Sequence, residues 1–190
     1  MNIIPLFTCP IFMQDLDFDL KPIQKECIYR SKKDKGRIKS NLGGWQSNLL
    51  SEHDSFFPEL ISKINSLAIE FARGIDVKSN LKMNSFWINI NRFKDYNQYH
   101  THPGSLFSGV YYIKSLSNSG NIEFKHPASK SIESYWDEKI SNTNPLNSCV
   151  WEIEPVENRL LIFPSWLEHQ VLPNVTQKDR ISLSFNIDTL

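Results

Sequence analysis

The stretch RISLSFNI, residues 180–187, alternates polar and apolar side chains along its whole length. Successive side chains of an extended strand point to opposite faces of a sheet. The polar face would carry Arg180, Ser182, Ser184 and Asn186, and the apolar face Ile181, Leu183, Phe185 and Ile187. The apolar face must pack on a core, whereas a polar face headed by an arginine is either exposed to water or lines a wet cavity.

Similar short segments precede this strand and are separated by proline, glycine and asparagine. They are SFWININ (85–91), SGVYYI (108–113), GNIEF (120–124), SCVWEIEP (148–155) and NRLLIFP (158–164). In the first of them, Trp87, Asn89 and Asn91 would share one face. Many short strands with this punctuation are typical of a β-sandwich or jelly roll, so we predict a mainly β protein.

The first third of the chain has a different pattern. A strand is predicted over Ile3–Phe12, followed by a polar stretch. A helix is predicted over PELISKINSLAIEFARG, residues 58–74, with Pro58 in its first turn and Gly74 as its C-cap. Apolar residues recur at helical spacing on one face of this helix: Leu60, Ile61, Ile64, Leu67, Ala68 and Phe71.

Length and charge limit the classes of function. The chain has 190 residues, enough for one domain with a sizeable core, and its 21 basic and 21 acidic residues cancel. This balance gives no reason to expect binding to nucleic acid or to a membrane surface. The one locally basic stretch, YRSKKDKGRIK (29–39), is predicted to be a solvated loop rather than a phosphate-binding patch.

The cysteines and the N-terminal residues bear on the compartment. Cys9, Cys27 and Cys149 are odd in number and widely spaced, which argues against a disulfide framework or a zinc ribbon and favours a reducing environment. The first residues lack the basic region of a signal peptide, and no apolar run is long enough to cross a bilayer. We therefore expect a cytoplasmic protein.

Two histidines in NQYHTHPG, residues 97–104, are two positions apart. In an extended chain, His100 and His102 would leave the same face with Cα atoms roughly 6.5 Å apart, close enough to share one metal ion. The alternative is a pair of surface histidines before a Pro-Gly turn. His169, just after the predicted strand RLLIF, is the natural third ligand, and His53 and His126 are predicted to lie at the surface. Imidazole ligands suit iron, zinc, copper and nickel, so they do not identify the metal.

Arg180 follows His169 by eleven residues, at the start of the last strand. If this strand enters the same cavity, the guanidinium is buried and needs a partner. Its planar fork matches a carboxylate through two parallel hydrogen bonds. A metal at one end of a pocket and this arginine at the other would fit a small dicarboxylic cosubstrate.

Several stretches resemble the iron(II)- and 2-oxoglutarate-dependent oxygenase family, in particular the bacterial and phage group related to prolyl hydroxylases. They are GGWQSN, WININ, HTHPGSLFSGVYYI, GNIEF followed by HP, EIEPVENRLLIFPSWLEHQVLPN and RISLSFN, and they span most of the chain from Gly43 onward. The resemblance implies a double-stranded β-helix, a jelly roll of cupin-like form with flanking helices. We expect one domain over 1–190, with a supporting strand and helix in 1–80 and the β-helix core in 81–190.

The resemblance also implies an oxidoreductase that couples decarboxylation of 2-oxoglutarate to hydroxylation of a substrate, with Fe(II) as cofactor. His100 and His169 would bind the iron, and Arg180 would hold the distal carboxylate of 2-oxoglutarate. Ser182 and Tyr112 would support that carboxylate. Asn89 and Asn186 would belong to the pocket wall.

One position departs from the family pattern, which is His-x-Asp or His-x-Glu. Here His102 stands in the place of the acid. The iron could be bound by three histidines, which is our predicted metal site. Otherwise His102 is not a ligand and Glu123 supplies the carboxylate, or the position is left open, as in oxygenases that transfer halide.

The substrate and partners stay open at this stage. A peptidyl proline, a free amino acid, a nucleotide base and a sugar are all compatible with the sequence, and so is a homodimer. A cupin-like three-histidine metalloenzyme that does not use 2-oxoglutarate is one alternative, and a non-catalytic jelly-roll binding protein is another. The polar segment Lys125–Ser148 carries Tyr135 and Trp136, which would either cap the core or face the mouth of the barrel as part of a lid over the substrate.

Overall fold

The computed structural model describes residues 1–51, 54, 56–78 and 80–190, and His53 therefore lies outside the described residues. The α-helices within these ranges are α1 (Leu20–Ser31), α2 (Pro58–Gly74) and α3 (Ser129–Trp136). A short 3-10 turn, Asp137–Lys139, follows α3. The strands are β1 (Phe12–Asp15), β2 (Asn41–Leu42), β3 (Trp45–Gln46), β4 (Leu81–Asn91), β5 (Tyr96–His100), β6 (Phe107–Lys114), β7 (Ile122–Lys125), β8 (Val150–Ile153), β9 (Arg159–Pro164), β10 (His169–Val171) and β11 (Arg180–Thr189).

The strands form two antiparallel sheets. The larger sheet has the order β1-β9-β6-β11-β4-β3, and the smaller has the order β2-β5-β10-β7-β8. Neighbours in each sheet come from distant parts of the chain, and the two sheets form a jelly roll, as predicted. Strands β1, β2 and β3, which precede residue 80, are built into these same sheets.

The alternation of β11 assigns a different role to each face of the larger sheet. Ile181, Leu183, Phe185 and Ile187 are fully buried in the main core. Helix α2 packs on this core through the predicted apolar residues, since all six are buried. The opposite face of the sheet looks toward the smaller sheet, and there Val110, Tyr112, Leu161 and Phe163 pack with Ile122 and Phe124 in a second, smaller core.

The N-terminal prediction needs correction. Ile3–Phe12 is not a strand: β1 begins only at Phe12, and Ile3, Ile4, Leu6 and Phe7 are exposed. Pro5 and Pro10 interrupt the segment, and a proline cannot donate a hydrogen bond to a neighbouring strand. Helix α1 lies in the stretch described only as polar. Its buried residues, Leu20, Ile23 and Cys27, form too sparse a stripe to stand out in the sequence.

Two further details differ from the predictions. Gly74 is the last residue of α2 rather than its cap, and the left-handed backbone conformation is adopted by Asp76, with φ of 52°. The segment Lys125–Ser148 is not a plain loop, because it contains α3 and the 3-10 turn. None of the helices in the described part of the chain is long and apolar enough to span a bilayer.

Replacing Ile64 with alanine should lower the free energy of unfolding by about 2–5 kcal/mol, because a fully buried side chain on α2 would leave a cavity. Its neighbour Lys63 is exposed, so Lys63→Ala should change stability by no more than about 0.5 kcal/mol. Urea denaturation of the two variants provides the comparison. Equal losses of stability would contradict the packing of α2 on the sheet.

Candidate active site

A cavity of about 740 Å³ lies between the two sheets. The polar face of β11 lines it, as do Trp87, Asn89 and Asn91 from the neighbouring strand β4. The polar face of the last strand is therefore the wall of a cavity. No aspartate or glutamate is among the described residues that line this cavity, whereas Arg37, Lys39 and Arg180 are.

Three histidines meet at one side of this cavity. His100 ends β5 and His169 begins β10, and these two residues are directly paired across the two strands. His102 lies two residues after His100 in the chain. One ring nitrogen from each of the three histidines lies within 4.8 Å of the others. The ring centroids of His100 and His169 are 4.4 Å apart. The predicted trio is thus brought together, whereas His126 lies elsewhere and accepts a hydrogen bond from the backbone of Ala128 through Nδ1.

Hydrogen bonds to the backbone orient two of these rings. His100 Nδ1 lies 2.7 Å from the carbonyl oxygen of Gln98, and His169 Nδ1 lies 2.8 Å from that of Leu167. A carbonyl oxygen can only accept, so each Nδ1 carries the proton and each Nε2 keeps a free lone pair. Metal-binding histidines are commonly fixed in this way.

The surroundings hold the three imidazoles neutral. Burial lowers the pKa of His100 below its usual value. Burial, assisted by the neighbouring His100, lowers the pKa of His102 to about 4 and that of His169 to about 3. Neutral imidazoles are the form that binds a metal, so this cluster has the donor set of a metal site at neutral pH.

Glu123 does not supply a carboxylate to the histidines. In β7, Ile122 lines the cavity and Phe124 packs in the smaller core, so Glu123 points to the opposite face of the sheet. There its Oε1 accepts hydrogen bonds from Gln170 Nε2 at 2.6 Å and from the hydroxyl of Tyr99. Among the described residues, Glu123 therefore does not join the histidine cluster.

Arg180 is the largest fully buried side chain among the described residues. Its Nη1 donates to the carbonyl oxygens of Ser119 and Gly120, at 2.7 and 2.6 Å. No carboxylate of the described residues forms an ion pair with it, so its hydrogen-bond partners among these residues are backbone carbonyls. Burial lowers its pKa to about 10, and the guanidinium stays charged at neutral pH.

Gly120 makes this contact possible. Its φ of +97° is rarely adopted by other residues, and a Cβ atom at this position would lie 2.5 Å from Arg180 Nη1 and 2.1 Å from the carbonyl oxygen of Leu172. The turn before β7 can therefore approach the arginine only with glycine at this position.

The other predicted pocket residues surround Arg180 along the strands. Ser182 is paired with Tyr112 on one side and with Asn89 on the other, and all three line the cavity. Burial raises the pKa of Tyr112 to about 12, so its hydroxyl remains a proton donor. Asn186 also lines the cavity, and its Oδ1 accepts a hydrogen bond from Ser108 Oγ at 2.9 Å.

One prediction about a loop is wrong, and one of the two alternatives for another loop is excluded. Arg37, assigned to a solvated loop, lines the cavity with its guanidinium 5.5 Å from the ring of Trp87. The only feature of the sequence that could have identified Arg37 as a cavity residue was its position near GGWQSN. A stretch rich in basic residues does not indicate which of its side chains points into the protein. Tyr135 and Trp136 are 71% and 51% exposed, so they do not cap the core, and they are not among the described residues that line the cavity.

A family model described as "Putative 2OG-Fe(II) oxygenase" matches residues 85–186, just over half of the chain. This range begins within β4 and ends within β11, and it contains all three histidines and Arg180. No curated protein sequence matches the chain.

Solved structures with the same fold include a Pseudomonas putida prolyl-4-hydroxylase, with a TM-score of 0.68, 13% identity, and coverage of 97% of this chain and 95% of that chain. A viral collagen prolyl hydroxylase from Paramecium bursaria Chlorella virus-1, solved as a 2-oxoglutarate complex, has a TM-score of 0.61 at 14% identity, with coverage of 95% and 96%. HygX from Streptomyces hygroscopicus, solved with nickel and 2-oxoglutarate, has a TM-score of 0.61 at 12% identity, with coverage of 96% and 84%.

Acidification should destabilise the metal-free protein. His102 and His169 are neutral in the folded state, whereas in the unfolded chain they bind protons near pH 6.5. Their contribution to stability is therefore complete above about pH 6.5 and is lost as the pH falls toward their folded-state pKa values of about 4 and about 3. Thermal denaturation of chelator-treated protein at a series of pH values measures this loss.

The matched variants for this experiment are His102→Asn and His126→Asn. The first should flatten the fall of the denaturation midpoint between pH 7 and pH 4.5, and the second should leave it unchanged. The same pH dependence in both variants would show that the histidine cluster is not its source.

Proposed function

Because the chain belongs to the 2OG-Fe(II) oxygenase family, we propose that residues 1–190 act as one oxygenase domain with a three-histidine iron site. In this proposal His100, His102 and His169 hold iron(II), and Arg180 binds the distal carboxylate of 2-oxoglutarate. The observation that carries it is a single cavity with three neutral imidazoles and, on another wall, a buried guanidinium that forms no ion pair with a carboxylate of the described residues.

The residues of the chain have distinct tasks in this proposal. The Nδ1–H bonds of His100 and His169 to backbone carbonyls keep both Nε2 lone pairs directed at the ion. Arg180, held by two carbonyls, offers its free edge to the carboxylate, and the hydroxyls of Tyr112 and Ser182 donate to the same group. Bound iron supplies the oxygen chemistry in which 2-oxoglutarate loses carbon dioxide as the substrate is hydroxylated.

Apolar side chains keep water from part of this site. Phe163, Val110 and Ile122 line the cavity and belong to the smaller core. The ring of Phe163 lies 4.7 Å from that of His169. A dry wall beside the metal strengthens electrostatic interactions in the site and limits side reactions with water.

The alternatives explain less of the cavity. A cupin-like enzyme without 2-oxoglutarate would account for three histidines but not for a buried guanidinium aimed into the same space. A binding protein without catalysis would account for neither.

Asn89 and Asn186 form the polar wall in our proposal, where their amides contact serine hydroxyls.

We propose a peptidyl or free amino acid as the substrate. The support for this substrate is the likeness in fold to prolyl hydroxylases, and fold alone. A reducing compartment such as the cytoplasm is supported by Cys9, Cys27 and Cys149, which are free. A homodimer is the oligomeric state to test against a monomer, by light scattering during gel filtration.

Replacing His169 with alanine should weaken iron(II) binding by more than about 100-fold, because a buried ligand is lost. Mutation of a residue that only hydrogen-bonds to a metal ligand already lowers metal affinity by about 10–100-fold. Succinate formation from 2-oxoglutarate should fall with it. Metal content after anaerobic loading and desalting is the measurement, and His126→Ala is the control because His126 lies outside the cluster. One iron ion per chain retained in His169→Ala would refute the proposed ligand set.

Replacing Arg180 with alanine should weaken 2-oxoglutarate binding by about 1.5–3 kcal/mol, the worth of hydrogen bonds to a charged group. Iron affinity should change much less, because a protonated guanidinium has no free lone pair and Arg180 is not in the histidine cluster. Anaerobic calorimetric titration of iron-loaded protein measures both. Arg180→Lys keeps the charge without the fork and should bind with intermediate affinity, while exposed Arg92→Ala is the control. Unchanged affinity for 2-oxoglutarate in Arg180→Ala would reject the assigned role.

A further inference from the structure

Arg37 is a second guanidinium in the cavity, and the proposed function does not use it. It lies in the chain segment before β2, is half-buried, and stacks 5.5 Å from the ring of Trp87. With the amide of Gln46 oriented so that its oxygen faces the donors, this oxygen accepts hydrogen bonds from Arg37 Nε and Nη2 at 3.2 and 3.1 Å, and from Trp87 Nε1 at 3.2 Å. Arg37 is therefore held in place by two buried residues.

The backbone also fixes the position of Arg37. Its N–H donates to the carbonyl oxygen of Gln46 at 2.8 Å, which ties the segment to β3. Gly36, with φ of +65°, permits this approach, since a Cβ atom at this position would lie 2.3 Å from the same oxygen. The arginine is thus placed by a built contact and is not a freely moving surface side chain.

Arg37 and Arg180 occupy different ends of the cavity. In the register of β4 and β11, Arg180 lies opposite Asn91, and Ser184 lies opposite Trp87. Asn91 and Trp87 are four residues apart, which is roughly 13 Å along an extended strand. Trp87 contacts Arg37 on one side and lies 5.8 Å from the ring of His102 on another. Arg37 is therefore at the histidine end, away from the proposed site of the distal carboxylate.

The charge of Arg37 has no ion-pair partner among the described residues. No acidic residue lines the described cavity, and no carboxylate of the described residues forms an ion pair with this guanidinium. Lys39, which also lines the cavity, adds a second positive charge on the same segment. Under the proposed function, 2-oxoglutarate directs one carboxylate to the metal and the other to Arg180, so neither is left for Arg37.

We propose that Arg37, fixed by Trp87 and Gln46, binds an anionic group of the substrate, a carboxylate or a phosphate, beside the metal site. The inference rests on the proposed function for its assignment to the substrate rather than to the cosubstrate. A guanidinium has five N–H donors, and Gln46 occupies two of them. The three that remain suffice for a bidentate contact with an anion, which is the geometry in which arginine binds carboxylate and phosphate most strongly.

Two side-chain resonances can report directly on this site. They are Arg37 Nε–H, which would be absent from the spectrum of Arg37→Lys, and the indole N–H of Trp87, which would be absent from that of Trp87→Phe. Protein loaded with zinc and 2-oxoglutarate is titrated with methyl phosphate, with acetate, and with sodium chloride at matched ionic strength. We expect a saturable shift of both resonances with one or both organic anions and none with chloride. The anion that binds more tightly separates a phosphate from a carboxylate substrate.

The variants make the site assignment testable. In Arg37→Lys, which keeps the charge but loses the fork, the shift of the Trp87 indole should require at least about tenfold more anion. Arg73→Lys, on the exposed side of α2, should titrate like the unchanged protein. No saturable shift, or equal anion affinity in Arg37→Lys and the unchanged protein, would overturn the inference.

Failure of this inference can be distinguished from failure of the proposed function. Binding of 2-oxoglutarate is followed in the same samples. If 2-oxoglutarate binds and the anions do not, the substrate anchor is rejected and the oxygenase site stands. If the anions bind at Arg37 and 2-oxoglutarate does not bind, the anion site stands and its assignment to the substrate falls with the proposed cosubstrate site.

Discussion

The pairing of β11 between β4 and β6 is the constraint on which the site depends. A strand with partners on both edges has one register, and a slip by one residue would turn every side chain to the opposite face. In the observed register, four apolar residues enter the core below α2 while Arg180, Ser182, Ser184 and Asn186 enter the cavity. The hydrophobic effect thus fixes the position of the polar wall, because the burial of one face determines the direction of the other.

The distribution of charge in the cavity follows from the residue at position 102. A carboxylate here would give the metal site a negative ligand, whereas His102 is neutral. With Arg37, Lys39 and Arg180 on the wall and no lining acid in the described cavity, negative charge has to come from bound molecules. A cavity of this kind favours anionic ligands over neutral ones of the same shape.

Much of this site could be predicted from sequence, because period-2 alternation and short-range spacing are local properties. Residues close together in the chain determine the two faces of β4 and β11 and the apolar stripe of α2. They also determine that His100 and His102 lie close to each other. Strands β2, β3 and β10 have two or three residues each and exist because of distant partners, so no local pattern marks them. Glu123 looked like a ligand because it is acidic and near the site, but its position in the alternation of β7 turns it outward. Arg37 could not be separated from the other cations of its segment, since only the contact with Gln46 and Trp87 selects it.

The hydrogen bonds from His100 and His169 to backbone carbonyls have a consequence for the entropy of ligand binding. Each ring has already lost its rotational freedom when the chain folds, so that entropy is not lost again when a ligand arrives. A preorganised donor pair does not have to search among rotamers, so the binding of an ion costs less conformational entropy. The folded chain can therefore present both imidazoles in a binding orientation before an ion arrives.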